Sequence, residues 1–245
     1  MSDARVARDE LERLLATNAP TLAATLEPEF FDAVERFVDL LLDANARLNL
    51  TRIVKPADVA RLHLLDALSA LPILDALQPA RAVDIGSGGG VPGLVLALAR
   101  PGVAWTLVDS VGRKADALRG FVEALAIGHV TIVAERAEIL GRDARHREIH
   151  DIATARACAA LPVLAEYALP LVRPGGTVIC WKGAISEVEL DAGRTAAHTL
   201  GGRTTVRETG IVALEHHRLV LLEKVAETPS RFPRRPGEPA RRPLG

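Results

Sequence analysis

Cysteine is scarce in these 245 residues: only Cys158 and Cys180 occur, with no CxxC pair and no neighbouring histidine cluster. That excludes a disulfide scaffold and gives no zinc-ligand spacing. His216 and His217 are adjacent and would point to opposite faces of a strand, a poor geometry for sharing one ion, so no metal is expected. Aromatic residues make up 3% of the chain, too few for a module that stacks successive single-stranded bases on rings. No apolar run approaches the roughly 18 residues of a membrane span. The opening MSDARVARDELERLL is charged and helical in pattern rather than a signal peptide, so the cytoplasm is the expected compartment. Excess charge is missing too: the net value is -1, so any nucleic-acid partner must be met by a local basic surface.

What is present is enough apolar residue, 49% of the chain, for a substantial core. Residues 4–17 and 28–47 have helical periodicity, the second with Phe30, Val34, Phe37, Val38 and Leu41 on one face. A third helix is expected from Pro56 through DVARLHLLDALSAL. From residue 81 the texture changes to short strands alternating with helices, at 81–85, 104–109, 129–133, 151–155 and 176–181, with two more β-like stretches near 203–209 and 217–224. The alternation implies βαβ crossovers and a doubly wound, mostly parallel α/β sheet of seven strands. The expected organisation is a helical cap over 1–75, a ligand-binding domain over 76–226 and a basic Pro/Arg-rich tail over 227–245. The tail has five arginines against two glutamates, and its prolines argue against a regular helix or a central strand. Its arginines are expected in solvent or on phosphates, as a disordered appendage or as a strap that orders on RNA.

The segment RAVDIGSGGGVPGL, residues 81–94, carries most of the functional information. An apolar strand ends at Asp84, five glycines fall within residues 86–93, and a helix begins near Pro92. Such a turn brings backbone N–H groups close to a ligand. A dinucleotide fingerprint counted from Gly86 fails at Val91, and only the displaced frame Gly88, Gly90, Gly93 fits it. Asp84 favours the other class that uses such a turn, enzymes dependent on S-adenosylmethionine, whose cationic sulfonium suits a neighbouring carboxylate. Asp109 ends the next strand, about 20 residues on, where a βαβ unit sets an acid against ribose hydroxyls. It could also cap the following helix, a task open to Ser110. Gly86, Asp109, the turn Arg136–Ala137–Glu138 and Arg156 should all lie on the carboxyl edge of the sheet.

Further along, NLT at Asn49–Thr51, RLHLLDAL around His63 and Asp66, DIGSGGGVPG, LVDSVGRK, TARA at 154–157, WKG at 181–183 and the Pro-Arg tail occur in order. Together they resemble the bacterial 16S ribosomal RNA guanine-N7 methyltransferases called RsmG or GidB. Ala67 and Ala44 stand where that family has serine and an aromatic, and His216-His217-Arg218 where it tends toward Glu-Arg-His. The resemblance implies the class I Rossmann-like methyltransferase fold and S-adenosylmethionine held by Gly86, Val91, Asp109, Ser110, Val111, Ala137, Glu138 and Arg156. It also implies 16S rRNA or the small ribosomal subunit as partner, for a protein expected to act as a monomer.

Guanine N7 has a free lone pair and no proton to lose, so its methylation needs alignment more than a base. In keeping with this, ATARACAALP contains no exocyclic-amine clamp of the Asn-Pro-Pro-Tyr type. Cys158 raises cytosine-C5 chemistry, which needs a thiolate, but a small buried filler at a helix start is the expected role. Arg156 is the expected centre of the reaction site, as a positioning fork for the cofactor, O6 or phosphate. His63 and Asp66 are either a catalytic pair or a lock between cap and domain. Arg113, Lys114, Arg119, Lys182 and the tail arginines are candidates for a phosphate-facing surface. An NAD-dependent oxidoreductase and a non-catalytic nucleotide sensor remain as alternatives.

Overall fold

In the computed structural model, which describes residues 2–245, the seven apolar stretches form one sheet. β1 (Arg81–Ile85), β2 (Ala104–Val108), β3 (Val130–Val133), β4 (His150–Arg156), β5 (Val172–Lys182), β6 (Gly202–Glu208) and β7 (Arg218–Lys224) lie in the order β3-β2-β1-β4-β5-β7-β6. β1 through β5 are parallel neighbours, whereas β7 runs antiparallel to both β5 and β6. Successive strand residues face opposite layers. Ala82 therefore joins one apolar cluster, while Val83 and Ile85 join the other. β1 sits between β2 and β4, so strand order reverses beside it, and its carboxyl end is the place where such sheets bind ligands.

The N-terminal helices α1 (Asp3–Asn18) and α2 (Pro28–Leu48) place Leu11, Leu15, Phe37 and Leu41 in the same cluster as Trp105 and Leu107 of β2. The cap is thus a layer on one face of the sheet, and the expected boundary at residue 75 divides no core. The third helix, α3, is not uniform: Pro56–Asp58 is α-helical, Val59–Leu65 is a π-helix and Asp66–Leu68 is α-helical again. A π-stretch of this length is rare and places His63 and Leu62 where a regular helix would not.

The tail departs most from expectation. Residues 227–245 form a strap packed on the second face of the sheet, with Phe232 buried in its cluster and a short helix at Glu238–Arg241. Glu166, fully buried on the helix Leu161–Ala168, is the reason. Its carboxylate accepts hydrogen bonds from the Arg234 backbone N–H at 2.7 Å and from Nε and Nη2 of the same arginine. Arg147 donates to the carbonyls of Thr228 and Phe232. A buried carboxylate demands a cation and donors, so one tail arginine does enter the interior, while Arg231, Arg235, Arg241 and Arg242 remain exposed.

Candidate active site

The glycine loop leaves β1 and turns under the end of β2. Gly86, Gly88 and Gly90 have φ of +69°, +54° and +92°, values that side chains disfavour. At Gly86 a Cβ would also lie 2.9 Å from the Cβ of Cys158. The N–H groups of Gly86 and Ser87 both donate to the Val108 carbonyl. Asp109, 6% exposed, then joins the two strand ends: Oδ2 accepts from Gly88 N at 2.9 Å and Oδ1 from Val111 N at 2.8 Å. The following helix has no side-chain cap; Asp109 holds the N–H of Val111, the residue just before its first turn, and Ser110 is left exposed. Each carboxylate oxygen keeps a second lone pair for a further donor.

Asp84 is placed differently from the expectation of a carboxylate touching a cationic ligand. It is fully buried beneath the loop, outside the lining of the cleft. Oδ1 accepts from the Thr154 hydroxyl at 2.7 Å, and Oδ2 has no hydrogen-bond partner among the described residues. Burial pushes its pKa up to about 6. A Cβ on Gly93 would come 2.6 Å from Oδ2, so the glycine that opens the next helix lets that helix end approach the buried acid.

An open cleft of about 920 Å³ lies over this edge, between the loop, the end of β4 and the cap segment Leu50–Ile53. Gly86, Val91, Asp109, Ser110, Val111 and Arg156 line it; Ala137 and Glu138 do not. Those two are buried at the first turn after β3, where the Glu138 carboxylate accepts from Gly237 N of the strap at 2.7 Å.

Arg156 was expected to face a ligand, yet three acceptors of the cap hold its guanidinium. Nη1 donates to the Leu62 carbonyl at 2.6 Å and to Asp66 Oδ2 at 3.2 Å, and Nη2 donates to His63 Nδ1 at 2.9 Å. Its first role is to fix the cap against the sheet edge. His63 and Asp66 do not pair with each other but share this arginine. Asp66 also accepts at Oδ1 from His217 Nδ1, 2.8 Å away, while its carbonyl receives the Trp181 indole N–H at 2.7 Å. His217, whose sequence context argues only against a shared metal ion, thus belongs to the cleft. Its partner lies 151 positions away, beyond the reach of any local pattern. Backbone strain marks the same edge: Ala157, with φ of +54°, stands between Arg156 and Cys158.

Cys158 is open to the cleft, in the turn between β4 and the next helix, rather than a buried filler at a helix start. Desolvation and the charges of Asp84 and Asp109 push its thiol up to about 11, so it is no ready thiolate nucleophile. Lys182 donates to the Glu189 carboxylate and the Ala159 carbonyl, and Arg119 is paired with Asp116. Of the expected basic patch near the cleft, Arg113 and Lys114 alone have no carboxylate partner among the described residues.

A seven-stranded sheet of this order with a glycine loop after β1 and an acid after β2 is the class I methyltransferase fold. Among solved structures with this fold are the S. achromogenes O-methyltransferase of tomaymycin synthesis, in complex with SAM, and a Bacillus cereus O-methyltransferase with SAH. The first has a TM-score of 0.54 at 17% identity, covering 78% of this chain and 90% of the other. The second has 0.53 at 16%, covering 77% and 90%. A family model described as GidB, rRNA small subunit methyltransferase G, matches residues 31–216. The chain is 39% identical to the ribosomal RNA small subunit methyltransferase G of Moorella thermoacetica over 95% of its length and 98% of the relative's. It is 42% identical to that of Chloroflexus aggregans over 95% and 98%. The chain belongs to the rRNA small subunit methyltransferase G family.

Proposed function

We propose that the protein transfers a methyl group from S-adenosylmethionine to N7 of a guanine in 16S rRNA, alone or in the small subunit. The observation that carries this reading is the tie made by Asp109. It holds the glycine loop and the exit of β2 together while leaving lone pairs toward the cleft, in a chain of this family. What supports a cofactor here is a roomy cleft with the backbone of Gly86 and Gly88 in its lining, in conformations that side chains disfavour, and the Asp109 carboxylate beside them. Gly86, Val91, Asp109, Ser110, Val111 and Arg156 would hold it, with Ala137 and Glu138 at the neighbouring strand end. When bound, S-adenosylmethionine would supply an electrophilic methyl group on sulfur, which the N7 lone pair can take once the two are aligned.

For such a reaction the chain must bind and align rather than move a proton. Arg156 positions the cap, and with it Thr51, His63 and Asp66, over the loop. The protonated thiol of Cys158 and the neutral imidazole of His63, pushed down to about 4 by burial and by Arg156, suit a site that forms no covalent adduct. On this reading the protein acts in the cytoplasm, as a monomer and without a metal. Calorimetry with S-adenosylmethionine and with NAD tests the cofactor. Micromolar binding of the first, with S-adenosylhomocysteine released only when small-subunit RNA is added, is expected. Binding of NAD instead, or no turnover with RNA, contradicts the proposal.

A further inference from the structure

The hydrogen-bond chain from Arg156 to the cap fixes the direction of every proton along it. A guanidinium only donates, so His63 Nδ1, 2.9 Å from Arg156 Nη2, must be a lone pair. The proton of the imidazole then sits on Nε2, which donates to Thr51 Oγ1 at 2.8 Å. Thr51 Oγ1 also accepts the Ile53 backbone N–H at 3.0 Å. Both lone pairs of that oxygen are thereby used, and its own hydrogen has no acceptor among the described residues. Thr51 lines the cleft, in the same segment that packs Leu50 against Gly89 of the glycine loop. Its position is fixed from behind by Asn45, whose Oδ1 accepts the Thr51 N–H at 2.8 Å. The burial that keeps His63 neutral supports the same polarity.

We infer that Thr51 presents an obligate hydroxyl donor to the base in the cleft and selects guanine over adenine by bonding to O6. The inference rests on the proposed guanine-N7 reaction. Both purines carry a nucleophilic N7, and what differs beside it is the group at position 6, an acceptor oxygen in guanine and a donor amino group in adenine. A donor of fixed direction meets the first and opposes the second, since two facing donors leave both unsatisfied. Arg156 contributes to this choice indirectly, as the residue that orients the chain, which makes it a positioning residue here.

The test compares wild type with Thr51→Val and Thr51→Ser on small-subunit RNA whose methylated guanosine, once mapped, is either kept or replaced by adenosine. Methylated nucleosides are quantified by mass spectrometry, and S-adenosylmethionine affinity is measured by calorimetry. Thr51→Val should lower the rate on the guanosine substrate by about 5- to 150-fold and narrow the guanine-to-adenine ratio. Cofactor affinity should stay within about twofold of wild type, which also shows that the site is folded, and Thr51→Ser should recover most of the loss. An unchanged guanine-to-adenine ratio in Thr51→Val, or a loss confined to cofactor affinity, overturns the inference and leaves the proposed function standing. A wild-type protein that forms no 7-methylguanosine sinks both.

Discussion

Arg234→Ala probes how the C-terminal strap is held. Of the four contacts between Arg234 and the Glu166 carboxylate, three come from the side chain and one from the backbone N–H. The substitution leaves a carboxylate with no exposed surface facing a single donor. Removing one partner of a buried ion pair costs about 3–5 kcal/mol, unless the acid takes up a proton. Gly237, three positions further on, donates to Glu138, so loosening the strap should also weaken cofactor binding. Urea unfolding at pH 7 reads the first effect and calorimetry with S-adenosylmethionine the second. Arg235→Ala is the control: Arg235 is exposed and without a carboxylate partner among the described residues, and a change within about 0.5 kcal/mol is expected. Adding Glu166→Gln to Arg234→Ala should recover more than about 1 kcal/mol, because it removes the stranded charge. If Arg234→Ala and Arg235→Ala unfold alike, the strap is not anchored by this pair.

Three further outcomes follow from the site. Asp109→Ala should weaken S-adenosylmethionine binding about tenfold to a hundredfold, through lost ribose contacts and through release of Gly88 N and Val111 N; matching isotherms for mutant and wild type would refute the role. Cys158→Ala should keep near wild-type turnover, and loss of turnover or an adduct trapped on 5-fluorocytosine RNA would point to C5 chemistry instead. Acid should destabilise the fold between pH 6.5 and 4, because burial holds His63 and His150 down to about 4. Over that window the unfolded chain binds more protons at these two sites, so stability is lost as the pH drops, by up to about 3 kcal/mol per histidine. Asp84, raised to about 6, works in the opposite sense and offsets part of that loss. His150→Leu should lose less urea resistance than wild type from pH 6.5 to 4, and identical profiles would contradict this.

The sheet was legible because its evidence is local. Each strand is a short apolar run closed by a turn, and the glycine loop with Asp109 is a contiguous pattern followed by one fixed spacing. The strap is less legible, because an arginine considered alone is too costly to bury. The missing partner, Glu166, lies in the otherwise apolar LPVLAEYALP, and a lone acid in such a helix was the available signal that a cation must come to it. Lys224, also buried, meets Glu148 in the same way. His217 and the π-stretch at Val59–Leu65 gave no comparable signal: the first depends on a contact with distant Asp66, the second on how α3 must shift to bring Leu62 and His63 to Arg156. The packing of the cap on the sheet was not legible for a related reason, since amphipathic helices do not show from sequence which surface their apolar face will cover.

Guanine-N7 transfer can be read by digesting small-subunit RNA after incubation with the protein and labelled S-adenosylmethionine, and identifying the labelled nucleoside by mass spectrometry. The expected labelled product is 7-methylguanosine, at one position of 16S rRNA, formed by wild type and strongly reduced in Arg156→Ala. Label in 5-methylcytidine, in an exocyclic N-methyl nucleoside or in no nucleoside at all would contradict it.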